Sequence, residues 1–130
     1  MAASVAITAA TATLAFLLGA WGFGYRRYSM HETRIRNMLG LKPTLSQVVQ
    51  GLENEGSRLV AAPANDEELR RVAEQRGRWK LAEILEKGRR WPQTRVFLAN
   101  DMVYFIYFDD ADVMRDFTCV GDQQVSRLGN

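Results

Sequence analysis

Between Ala2 and Tyr25 the chain runs for 24 residues without an acid, a lysine, an arginine or a histidine. At about 1.5 Å of rise per helical residue such a run reaches about 36 Å, and the hydrocarbon core of a bilayer is about 30 Å thick. The 105 residues that follow make one compact domain, too small to enclose a helix of that length. The run therefore predicts a single transmembrane helix over residues 1–25, with Val5, Ile7, Leu14, Phe16, Leu17 and Leu18 driving insertion. A cleaved signal peptide is the weaker reading. Ala20-Trp21-Gly22 has the small-x-small form, but no basic side chain opens the run and the apolar stretch is long.

The flanks set the orientation. Arg26, Arg27, Arg34 and Arg36 follow the run, and none precedes it. The positive-inside rule then puts the N-terminus outside and the C-terminal domain in the cytoplasm or matrix, at a bacterial or organellar inner membrane. Trp21, Tyr25 and Tyr28, with Arg26 and Arg27, are the expected membrane-interface residues. Ala15 and Gly19, four apart, would let a second helix approach closely.

Charge is divided along the chain. Arg26 to Arg95 holds 15 Lys and Arg against 9 Asp and Glu, whereas Val96 to Asn130 holds 2 against 6. The basic half adjoins the span, where anionic headgroups attract it, so membrane lipid is an expected partner. Nucleic acid is not. Arg70, Arg71, Arg76, Arg78, Arg89 and Arg90 are offset by Glu67, Glu68, Glu74, Glu83 and Glu86 on the same helices.

Residues 26–43 read as a basic amphipathic juxtamembrane segment, ended by Gly40 and Pro43. Residues 44–122 read as a small α+β domain and 123–130 as a tail. Thr44, with Gln47 three residues on, forms a capping box for a helix carrying the stripe Leu45, Val48, Val49 and Leu52, stopped by Gly56. Arg58-Leu59-Val60 is a short extended piece. Asn65 or Asp66 caps the next helix, whose first turn is acidic. Its apolar face switches sides between Val72 and Leu81, because nine residues at about 100° each end half a turn out of phase. A break at Gly77 resolves the conflict, and Gly88 is expected to close the second piece.

Three strands follow at Thr94–Leu98, Met102–Phe108 and Val113–Val120, joined by Asn100-Asp101 and by Asp109 to Asp112. The fold class is thus α+β: two or three short helices on a three-stranded antiparallel meander, behind one transmembrane helix. In the middle strand Met102, Tyr104, Ile106 and Phe108 face one way and Val103, Phe105 and Tyr107 the other. Both faces are apolar, so a second cover is expected: the tail, another copy or a partner protein. Tyr104, Phe105 and Tyr107 are accordingly candidate partner-binding residues, with Ala15, Gly19 and Trp91. Trp79 is expected in the core.

No catalytic, cofactor or metal set is expected. Cys119 is the only cysteine and lacks a neighbouring base, and His31, the only histidine, reads as an exposed residue beside the membrane. Asp109, Asp110 and Asp112 lack the further oxygen ligands and the glycine of a calcium loop, and read as a solvated turn. The expected function is a non-enzymatic accessory or assembly subunit that docks on a larger membrane complex or on itself. The rival is an exported inhibitor, immunity or envelope-assembly module that has lost its N-terminal segment.

Overall fold

The computed structural model describes residues 23–121, with side chains from Met30 onward. Residues 1–22 of the expected span, with Ala15, Gly19 and Trp21, lie outside it, as does the tail. Among the described residues no helix is long and apolar enough to cross a membrane.

The described chain is α+β, in the order α1 (Phe23–Gly40), α2 (Leu45–Asn54), β1 (Arg58–Ala61), α3 (Asp66–Arg76), a 3₁₀ turn (Arg78–Lys80), α4 (Leu81–Arg90), β2 (Gln93–Ala99), β3 (Met102–Phe108) and β4 (Met114–Gly121). The sheet has four antiparallel strands in sequence order, one more than expected. The extra strand is the extended piece at Arg58, which pairs with Leu98 and continues, past a bulge, to Ala61 opposite Val96. The extended state is legible in the sequence, but a piece of four residues does not show that it pairs, and pairing to β2 makes it a strand of the sheet.

Local signals place the helices. The Thr44 hydroxyl accepts the Gln47 N–H at 3.3 Å and the Gln47 side chain accepts the Thr44 N–H at 3.0 Å, closing the capping box at the start of α2. Asn65 accepts the Glu68 N–H at 2.9 Å and so caps α3. The chain breaks at Gly77, as the switch of apolar face requires. Gly88 does not end α4, which runs to Arg90. A Cβ there would stand 2.1 Å from Leu69 Cδ2, so this glycine marks where α3 and α4 touch.

The sheet lies between two helical layers. Met102, Tyr104, Ile106 and Phe108 pack with Phe97, Met114, Phe117 and Cys119 beneath α1 and α2, through Ile35, Val48 and Leu52. Val103, Phe105 and Tyr107 pack with Val96 and Val120 beneath α3 and α4, through Leu69, Ala73, Ile84 and Leu85. The expected second cover is therefore corrected, since the chain supplies it. The basic segment expected at 26–43, outside the domain, contributes to its core: Ile35 is fully buried and Met38 and Leu39 pack on the same cluster. Its helix shares one wall of the fold with α2.

Candidate interaction surface

Several residues singled out in the sequence turn out to be interior. Tyr104, Phe105 and Tyr107 are completely buried by this chain's own helices. Trp91 packs beside the core under α3 and α4, with its indole Nε1 buried and without a hydrogen-bond partner. Trp79, expected in the core, is instead 82 % exposed in the 3₁₀ turn. Sequence could not separate these two tryptophans. Each stands among arginines near a glycine or proline, and the turn at Gly77 decides which one points outward.

Tyr104 anchors a polar chain across three elements. Arg34 of α1 donates to its hydroxyl at 3.5 Å and pairs with Glu55, the C-cap of α2, at 2.9 Å. His31 of α1 hydrogen-bonds the same hydroxyl through Nδ1. A guanidinium can only donate, so the phenol oxygen accepts from Arg34 while it shares its second hydrogen bond with His31 Nδ1. Burial pushes the Tyr104 phenol up to about 12, while the nearby Arg34 charge pulls the other way. The histidine is thus not a bare surface group. It fastens α1 to the central strand.

The β4 edge carries a groove of about 180 Å³ between α1 and the start of α4. Its floor is Phe117, whose ring has Arg36 at 5.5 Å and Lys87 at 6.0 Å from its centroid. Lys87 Nζ donates to the Phe117 carbonyl at 2.8 Å and to Asp116 at 3.1 Å, and the same Asp116 oxygen accepts the Phe117 N–H at 2.8 Å. The backbone groups that an added strand would seek at Phe117 are therefore already occupied, a common protection for an exposed sheet edge. Arg115, the extra residue where the β3–β4 register shifts, bends this edge further and donates to Asp109 at 2.8 Å.

The Asp109 turn is held by hydrogen bonds within the chain. Asp109 Oδ1 accepts the N–H groups of Val113 at 3.0 Å and Ala111 at 2.9 Å. The Val113 N–H and then Arg115 keep its carboxyl below the usual carboxylate range. Asp112, at φ 62°, hydrogen-bonds Gln93. Both carboxylates have structural duties. Burial pushes the Cys119 thiol up to about 12, so it stays protonated at neutral pH and packs as a small apolar group. Among the described residues no three His, Cys, Asp or Glu side chains converge as metal ligands.

Of the expected membrane-interface residues, Tyr25, Arg26, Arg27 and Tyr28 lie in the first turns of α1. That helix starts at the sheet end where β2 turns into β3, because its other end is pinned near Met114 by the Pro43 carbonyl at 2.9 Å.

These features define a class by architecture: a four-stranded antiparallel sheet, its last three strands a meander, walled by helices on both faces and approached through a long helix. No protein-family model, curated protein or solved structure matches this chain.

Proposed function

We propose that this chain is a non-catalytic, single-pass membrane protein, an accessory or assembly subunit of a larger membrane complex, with its α+β domain on the cytoplasmic or matrix side. The observation that carries the reading is continuity. The uncharged run leads into α1 with no proline before Pro43, and α1 is fastened to the sheet by Ile35 and by the His31–Tyr104–Arg34 chain. In this reading the domain follows the span through a helix fixed on its own sheet, which holds it close beneath the membrane.

With both faces of the sheet covered, partner contact falls to the span, at Ala15 and Gly19, and to the outer surfaces of the helices. Affinity purification from native membranes, with the intact mass of the recovered chain, tests this. The expected result is a chain that keeps its first 22 residues and brings a membrane protein with it, the association weakening on Gly19→Leu. A lone monomer in detergent overturns the subunit role. A mature chain beginning near Phe23 overturns the anchor and favours the exported module.

A further inference from the structure

We propose that the turn Gly77–Lys80, with Trp79 at its tip, is a second membrane contact, seated among the headgroups of the anionic leaflet beneath which the domain hangs. The inference rests on the membrane-anchored reading above and adds a surface to it.

Topology puts the turn at the right end of the molecule. α1 descends from the end near the β2–β3 turn, and His31 lies at the level of Tyr104, which pairs with Cys119. Lys80 lines the β4 groove beside Thr118 and Cys119, at that same level. α3 rises from the far end, where Asp66 meets Arg89 of α4 at 3.4 Å beside Thr94, the residue opposite Tyr107, so the turn between α3 and α4 is their membrane-proximal tip. Between Arg27 and His31 a helix climbs about 6 Å, close to the thickness of one headgroup layer.

The chemistry fits lipid better than it fits a protein groove. Trp79 exposes 82 % of its surface while every other aromatic side chain described in the sheet is buried. It sits in the sequence Arg76-Gly77-Arg78-Trp79-Lys80, three cations and no acid. Met30, on the same end of α1, is also exposed. An indole flanked by basic side chains is the composition of a membrane-interface belt, where the ring lies at headgroup depth and the cations meet anionic phosphates.

The test uses the full chain in phosphatidylcholine vesicles, with or without phosphatidylglycerol, and with acyl chains brominated close to the headgroup. Two single-tryptophan versions report separately: Trp21→Phe with Trp91→Phe leaves Trp79, and Trp79→Phe with Trp91→Phe leaves Trp21. Far-ultraviolet circular dichroism confirms that each is folded. The expected result is that brominated lipid quenches Trp79 severalfold more strongly when phosphatidylglycerol is present, with Trp21 quenched in both compositions. Quenching of Trp21 with none of Trp79 overturns this contact and leaves the anchor standing. No quenching of either residue overturns both. Equal quenching of Trp79 with and without phosphatidylglycerol overturns the anionic leaflet as the occupant.

Discussion

On the face of the sheet beneath α1 and α2, Tyr104 sends its hydroxyl out to His31 and Arg34 on another element. On the opposite face Tyr107 keeps its hydroxyl within the sheet, 3.1 Å from the Thr118 Oγ1 of β4. The covering helices differ in the same sense. α1 is held by polar contacts as well as by Ile35, and its exit is pinned by Leu45 N–H on the Asp112 carbonyl at 2.7 Å. α3 and α4 are held by close apolar fit, with Gly77 against Phe105 and Gly88 against Leu69. The contrast teaches what each wall does. Directional bonds to the central strand fix the position of α1, while the other side is closed mainly by shape, with Lys87 tying α4 to the β4 edge.

The largest effect expected is on the dry side. Phe105→Ala removes a fully buried ring and should cost about 3–5 kcal/mol in denaturant unfolding. Gly77→Ala would place a Cβ 2.9 Å from the Phe105 ring and 2.7 Å from Ile84, so a loss of about 1–3 kcal/mol is expected from overpacking. Gly88→Ala should cost less, because the helix gains about 1 kcal/mol of propensity against the clash with Leu69. If both glycine variants are as stable as the parent, close fit is not what holds α3 and α4.

The two tyrosines sharpen the contrast directly. Tyr107→Phe strands the buried Thr118 hydroxyl and should cost about 1–2 kcal/mol. Tyr104→Phe should cost about 0.5–1.5 kcal/mol, since the Arg34 it releases is part-exposed and regains water. Equal losses would mean that the two hydroxyls do the same work. Thermal unfolding against pH adds a second probe. Tyr104 and Cys119 are both raised to about 12, from 10.0 and 9.0, and burial raises Tyr107 as well. Above pH 9 the unfolded chain gives up protons that the folded chain keeps. Stability is thus complete below that point and falls from pH 9 towards 12. Cys119→Ala should delay the onset of that fall to about pH 10. The smallest effect belongs to Trp91→Phe. It removes a buried N–H that has no partner, so stability should stay within about 1 kcal/mol of the parent or rise slightly.

Much of this fold could be read from residues close together in the chain. The Thr44–Gln47 box, the Asn65 cap and the half-turn slip between Val72 and Leu81 each involve neighbours within a few turns, and each appears where the spacing puts it. The alternation in β3 gave the two faces correctly, residue by residue. What stayed hidden depended on distant neighbours. His31 meets Tyr104 across 73 positions of sequence, and no local pattern marks that pair. The same holds for the cover on the second face. α1 looked like a basic segment outside the domain because its apolar side is narrow, and only docking on Phe117 and Cys119 reveals Ile35 as core.

By itself the sequence determined the uncharged N-terminal run, the basic flank after it, the caps and breaks of the helices and the two-faced central strand. These follow from composition and from periods of two and 3.6 residues, which need no third dimension. Tertiary structure alone decided that α1 and α2 close the second face, that Arg58–Ala61 becomes a fourth strand, and that Trp79 rather than Trp91 meets the outside. Those outcomes depend on which surfaces come together when the helices pack, and burial is a property of the assembled layers, not of any stretch of chain.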